Sequence, residues 1–123
     1  MGYIRLNTDG NVAAGLIAQE HVINTDKIIL VRTGIGASSA TQLNFVTGIL
    51  PDQDSTTPDN PSGYVEQISL RGAGFTADTV KRANDAIVAG QTTATGIVSR
   101  GFSLFEAAPG ETFTHVNFLI SKN

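Results

Sequence analysis

A glycine turn that follows an apolar run is the first candidate for chemistry in this sequence. The run 28–31 (IILV) leads to Gly34, Gly36 and Ser39, an order typical of the phosphate loop in a nucleotide-binding βα unit. The dinucleotide fingerprint G-x-G-x-x-G needs a third glycine where Ser39 stands, and the residues that follow are mediocre helix formers. The pattern therefore favours the bend of a β-hairpin over 33–39, with a nucleotide or metabolite site at Gly34–Ser39 as the alternative.

A second candidate is the spacing of oxygen-bearing side chains at Asp52, Asp54 and Thr56. Alternate oxygen ligands of this kind can converge on a hard cation such as calcium. The EF-hand loop would require glycine at its sixth position and glutamate at its twelfth, where this chain has Thr57 and Gly63. We therefore expect an exposed solvated loop and no built metal site, while a surface cation at 52–59 stays open.

The histidines and serines give no convincing catalytic arrangement. His21 and His115 are the two histidines of the chain, and a closed zinc site would need carboxylates such as Glu20 or Glu111 to complete it. Ser103 follows Gly101-Phe102, but the second glycine of a G-x-S-x-G nucleophile elbow is missing. We expect no catalytic residue, no metal and no cofactor, and hence a protein that is not an enzyme.

The elements that would position these residues are mostly strands. Leu43, Phe45, Thr47 and Ile49 alternate with their neighbours at the period of a strand. The stretch 12–23 is ambiguous and is read as a strand that ends in a loop, and 51–63, with three of the four prolines, as an exposed loop. The remaining strands are predicted at 3–6, 27–32 and 64–70, with a turn at 7–11.

One amphipathic helix is predicted at about 77–89. Thr76 can cap its N-terminus, and Asp78 lies in its first turn. Gly90 stands just after its predicted end, a position where glycine is common. Charged residues gather opposite the apolar side, and two pairs have the i,i+4 spacing of helical ion pairs. Those pairs are Asp78/Arg82 and Lys81/Asp85.

The C-terminal part is predicted to form a second hairpin. Segments 101–107 and 112–120 flank APGE at 108–111, whose Pro-Gly pair suits a type II turn. Val116, Phe118 and Ile120 would share one face of the last strand. The fold class is therefore α+β and mainly β: one domain over 1–123, built as an antiparallel sheet or a small barrel or sandwich with one helix.

Composition limits the partners. The 123 residues carry a net charge of −3, and the eight Lys and Arg residues are spread along the chain without a basic stripe, so we expect no nucleic-acid binding. No apolar run approaches the ~18 residues of a membrane helix, and no leader for export is recognisable. Only 15% of the residues are charged, which suits a surface in contact with other protein.

The order of several segments along the chain resembles that of a known group of proteins. GYIRLN at 2–7, DKIILV at 26–31, a Thr/Asn-rich hairpin, the helix at 77–90 and THVNFLI at 114–120 together resemble small virion structural proteins of tailed bacteriophages, particularly those of marine cyanobacterial phages. The resemblance covers most of the chain by order of elements, although the loop 51–63 and the region 99–111 are longer than in that pattern. The resemblance implies a role in particle assembly and not in enzymatic turnover.

The resemblance implies a capsid decoration or cement protein, located in a virion assembled in the host cytoplasm. Its partners would be the major capsid protein or other virion proteins, and it would form homo-oligomers. A tail or head-tail accessory protein is the structural alternative. On grounds of exposure, the expected partner-binding residues are Asp52, Gln53, Asp54, Thr56, Asp59 and Ile35.

Overall fold

Two β-sheets and one helix make up the parts of the chain that the computed structural model describes, residues 2–50, 64–92 and 101–122. The strands in chain order are β1 (Gly2–Thr8), β2 (Gln19–Asn24), β3 (Leu30–Thr33), β4 (Gln42–Leu50), β5 (Tyr64–Ala73), β6 (Gly101–Leu104) and β7 (Thr112–Lys122). The helix α1 spans Ala77–Thr92, and short 3₁₀ turns occupy Val12–Ala14, Thr25–Lys27 and Gly36–Ser38. The predicted mainly-β α+β class is confirmed.

The strands pair in two separate sheets. The three-stranded sheet has the order β2-β1-β6, in which β1 is antiparallel to β2 and parallel to β6. The four-stranded sheet has the order β3-β4-β5-β7, and all of its neighbours are antiparallel. The antiparallel architecture expected from the alternating sequence therefore describes the larger sheet.

The hydrophobic core lies where β1, α1 and one face of the larger sheet meet. Ile4 and Leu6 of β1 are fully buried there with Leu43, Phe45 and Leu70 of the larger sheet. Aromatic rings from the loops and β7 complete it: Phe105 meets Phe45 edge-to-face at 6.5 Å and Phe113 at 5.1 Å between ring centroids. The period-2 alternation of β4 thus places Leu43 and Phe45 on the core face, whereas Ile49, beyond the register shift between Val46 and Gly48, is 62% exposed.

The hairpin predicted around the glycine turn is confirmed. β3 and β4 pair antiparallel from Leu30 opposite Val46 to Thr33 opposite Leu43. The Gly34 N–H donates to the Gln42 carbonyl at 3.0 Å and closes the connection. The strand predicted at 27–32 begins later than expected, at Leu30, because the preceding residues form the 3₁₀ turn Thr25–Lys27.

The reading of 12–23 as a strand followed by a loop is wrong in its order. Residues Val12–Ala14 form a 3₁₀ turn, and the strand β2 comes after it. Asn11 closes this turn: its side chain accepts from the Ala13 N–H, and its carbonyl accepts from the N–H groups of Ala14 and Leu16. Gly15 has a φ of 75°, the left-handed conformation that such a turn requires.

The helix matches its prediction except at its ends. The Thr76 N–H donates to the Thr79 hydroxyl at 2.9 Å, so the side chain seen capping the start belongs to Thr79. Gly90 lies inside α1, which continues to Thr92, and not after its end. A Cβ at Gly90 would lie 2.9 Å from the Tyr3 carbonyl oxygen, so the glycine serves the close approach of α1 to β1.

The predicted C-terminal hairpin is wrong, although its turn is present. The Glu111 N–H donates to the Ala108 carbonyl at 2.9 Å, and Gly110 has a φ of 90° as a type II turn requires. The two arms then separate: β6 joins β1 and β7 joins β5. Separation lets Phe105 and Phe113, on either side of the turn, both enter the core.

The buried residue Thr25 joins β1 to the 3₁₀ turn that precedes β3. The Thr25 hydroxyl donates to the Gly2 carbonyl at 2.9 Å, and Thr25 is 1% exposed. We expect Thr25→Val to lower the free energy of unfolding by about 1–2 kcal/mol, because the Gly2 carbonyl loses its partner while the shape is kept. Thr41→Val, at an exposed hydroxyl, should change it by less than about 0.5 kcal/mol in the same urea titration.

Candidate functional site

The predicted partner-binding residues fall into two groups. Asp52, Gln53, Asp54, Thr56 and Asp59 lie outside the described residues, as does the whole predicted loop 51–63. Ile35 lies in the connection between β3 and β4, and 86% of its surface is exposed. An isoleucine presented in this way at the end of a hairpin is suited to contact with another protein.

The glycine turn does not have the geometry of a phosphate loop. Gly36–Ser38 is one 3₁₀ turn that leads into β4, so no α-helix begins after the glycines. The N–H groups of Ser38 and Ser39 donate within the turn, to the carbonyls of Ile35 and Gly36. Anion binding at a helix N-terminus depends on free N–H groups aligned with a helix dipole, which this turn lacks. The hairpin interpretation is therefore the one that the backbone supports.

The two histidines lie on different sheets. His21 of β2 has its Nε2 atom 3.1 Å from the Thr8 hydroxyl, whereas His115 of β7 has its Nε2 atom 3.4 Å from the Asn117 amide nitrogen. The two carboxylates considered for a metal site are engaged elsewhere, since Glu20 pairs with Arg5 at 2.9 Å and Glu111 pairs with Arg82. No group of three metal-ligating side chains occurs within residues 2–50, 64–92 and 101–122.

A buried ion pair joins α1 to the turn before β7. The Glu111 side chain is 6% exposed and accepts hydrogen bonds from Arg82, from the Thr79 hydroxyl and from the Ala108 N–H. Arg82 also donates to Asp78 at 3.0 Å and to the Glu106 carbonyl at 3.0 Å. Its guanidinium lies 5.8 Å from the centroid of the Phe105 ring. Sequence analysis predicted the Asp78–Arg82 pair but missed Glu111.

The electrostatics of this ion pair fix its charge state. Burial by itself would raise the pKa of Glu111, but hydrogen bonds from Thr79, Ala108 and Arg82 outweigh it and hold the pKa below its usual value. For Arg82, burial opposes the charge, and the bonds to Glu111 and Asp78 outweigh burial, so its pKa is raised. Both shifts favour the charged forms, so the two groups form an ion pair that links α1 to the turn before β7.

A polar row crosses the larger sheet on the face opposite the core. Residues that lie directly opposite each other on neighbouring strands point to the same face of a sheet. The pairing registers bring one polar residue from each of the four strands into line in this way. Among the described residues, the Asn44 Oδ1 and His115 Nδ1 atoms are buried without a hydrogen-bond partner. The row is Arg32, Asn44, Ser69 and Asn117, and Arg71 faces His115 beside it.

An apolar stripe lies on β7. Val116, Phe118 and Ile120 share one face of the strand, as the alternation predicted, and Val116 packs against the core. Phe118 and Ile120 extend beyond the core, with 65% and 58% of their surfaces exposed. A phenylalanine and an isoleucine side by side on a sheet edge form a surface suited to protein contact.

The described residues form a mainly-β α+β fold, and its exposed large apolar side chains include Ile35 on a hairpin connection and Phe118 and Ile120 on an edge strand. Comparisons of the chain with protein-family models, curated proteins and solved structures find no match in any of the three. Among the described residues, no helix has the length and apolar character needed to cross a membrane.

Proposed function

We propose that this chain is a non-enzymatic structural protein of a tailed-phage virion, where it decorates the capsid and stabilises the shell by binding the major capsid protein. The observation that supports it is the exposure of large apolar side chains, Ile35, Phe118 and Ile120, on a chain of which only 15% is charged. Contiguous exposed apolar surface marks protein contacts. The kind of assembly comes from the resemblance of the sequence elements to phage virion proteins.

The mechanism of stabilisation would be contact area added across junctions between shell subunits. A stable contact buries roughly 1,200–2,000 Å² in total. Contacts repeated over a closed lattice act together, because each one formed raises the effective concentration for the next. A homo-oligomer of the chain would reach several shell subunits at once.

The test is the composition and strength of purified particles. In particles of a phage that encodes this sequence, the chain should be present at a fixed ratio to the shell protein. Particles assembled without it should lose infectivity at lower temperature and lower pressure. Absence of the chain from particles, or equal resistance with and without it, would contradict the proposal. Particle images separate the capsid location from the tail or head-tail alternative.

Variants can locate the contact with the shell. We expect Ile35→Lys, and separately deletion of 52–61, to lower occupancy on particles, because both lie in segments proposed to contact the shell. Ile17→Lys is the matched control, since Ile17 is also exposed, at 71%, but lies in a different loop. If all three variants bind particles as the unaltered chain does, these segments do not form the contact.

The alternative of another class, a nucleotide or metabolite site at Gly34–Ser39, can be tested with the same purified chain. A binding ligand must stabilise the native state, so a saturable rise of the melting temperature with a nucleotide would favour it. The 3₁₀ geometry of the turn leads us to expect no such rise.

A further inference from the structure

The strand β7 has a free edge. On one side it pairs with β5 along its whole length. On the other side, Phe113 and Thr114 accept hydrogen bonds from the Asp9 and Gly10 N–H groups, both at 2.8 Å. Beyond Thr114, within the part of the chain that the structure describes, no further backbone pairs with this edge. Every second residue of such an edge directs its N–H and C=O groups outward, where another strand can bind them.

The other sheet edges are protected in ways that β7 is not. β3 and β6 have four residues each, too short to pair extensively. β2 carries a charged residue, Glu20, which forms an ion pair with Arg5 at 2.9 Å. β7 has eleven residues, and from His115 to Ser121 it contains no Asp, Glu, Lys, Arg or Pro. Natural proteins rarely leave a long apolar edge without one of these protecting features unless the edge is paired.

We infer that a second copy of this chain binds here, with the two β7 strands antiparallel about a two-fold axis at Phe118. In this register Phe118 faces Phe118 and Val116 faces Ile120, so every apolar residue of the stripe meets another. An axis at Asn117 would oppose Ile120 to Thr114. An axis at Leu119 would oppose Val116 to Lys122. The interface is isologous and joins two four-stranded sheets into one of eight strands.

The ends of the free edge agree with this register. Gly10 occupies the edge at Thr114, so pairing about this axis runs from His115 to Ser121, and Phe118 is the midpoint of that span.

The area available predicts a weak dimer. A fully covered phenylalanine buries about 150–250 Å², so the exposed parts of Phe118 and Ile120 from two copies supply on the order of 500 Å² of apolar surface. A stable interface buries roughly 1,200–2,000 Å². Association should therefore depend on concentration, in roughly the micromolar to millimolar range. This inference does not rest on the virion role, because it concerns the chain alone.

Sedimentation velocity of the purified chain tests the dimer. Over roughly 10 µM to 1 mM, a range set by the small area, the mass should rise from one chain to two. Phe118→Lys should weaken association at least tenfold, because it places a charge at the axis, and circular dichroism should stay unchanged since Phe118 is 65% exposed. Ile35→Lys introduces the same charge at a side chain that is 86% exposed and lies away from this edge, and it should change association less than twofold. A chain that stays monomeric, or equal weakening by both variants, would overturn the inference.

Crosslinking tests the register. The chain has no cysteine, so a single introduced thiol reports one position. Residue 118 faces itself across the axis, and opposed Cβ atoms at about 4.5–5.5 Å are close to disulfide distance. Phe118→Cys should therefore give dimers under mild oxidation faster than Asn117→Cys, whose position faces residue 119. Faster crosslinking at 117, or equal slow crosslinking at both, would overturn the two-fold axis at Phe118.

Discussion

Replacing Glu111 by alanine should lower the free energy of unfolding by about 3 kcal/mol, because it leaves a partly buried arginine without its main partner. The Glu111 side chain is 6% exposed and Arg82 is 27% exposed. The Thr79 hydroxyl and the Ala108 N–H would lose their acceptor at the same time. This loss of stability is at the lower end of the range for breaking a buried ion pair, because Arg82 still pairs with Asp78. Urea unfolding followed by circular dichroism measures it.

The matched control is the exposed ion pair one turn away on the same helix. Lys81 and Asp85 are 2.9 Å apart, but their side chains are 73% and 65% exposed. Solvent screens such a pair, so Asp85→Asn should change the free energy of unfolding by less than about 0.5 kcal/mol. Equal effects at Glu111 and Asp85 would show that the burial of the Glu111 pair has no energetic consequence.

The Glu111 contribution should also depend on pH in a defined direction. Its pKa in the folded protein lies below the ordinary value of 4.5, so the folded state takes up this proton less readily than the unfolded state does. The stabilisation is complete above pH 4.5 and is lost as the pH falls through the lower pKa of the folded state. Unfolding curves for the unaltered chain and for Glu111→Gln should therefore converge in acid. A difference that stays constant down to pH 2 would contradict this assignment.

The second large effect is expected at Gly72, where β5 meets β7. A Cβ built on Gly72 would lie 1.8 Å from the Thr112 carbonyl oxygen and 2.9 Å from Cζ of the Phe75 ring. The contact is with backbone, so alanine can be accommodated only if the two strands separate near their register shift. We expect Gly72→Ala to lower the free energy of unfolding by about 3 kcal/mol, as overpacking of a rigid site does.

Gly110 provides the control for this substitution. A Cβ at Gly110 would meet nothing within 4 Å, but its φ of 90° is unfavourable for other residues. Gly110→Ala should therefore cost about 1–2 kcal/mol, from backbone strain alone. If Gly72→Ala were no more destabilising than Gly110→Ala in the same denaturant titration, the close contact with Thr112 would not be real.

Local sequence patterns were sufficient for several elements that neighbouring residues make, although they missed the 3₁₀ turn Val12–Ala14. The β3–β4 hairpin, α1 and its two ion pairs, and the turn at 108–111 all follow from glycine placement, periodicity and i,i+4 spacing. The exposed apolar stripe on β7 was also visible as alternation, although its exposure was not. The predicted contacts at Asp52–Asp59 remain predictions, because those positions lie outside the described residues.

The sequence by itself determined the mainly-β class, the hairpin and the helix, because each depends on contacts within a few residues. Only the tertiary structure decided that β6 and β7 separate, that Gly90 sits inside a helix, and that Arg82 meets Glu111. Each of these brings together residues far apart along the chain, and Arg82 and Glu111 are separated by 29 positions. Such partners are selected by shared burial, which no local spacing encodes. The same physical reason left the free edge of β7 to be found in the folded protein.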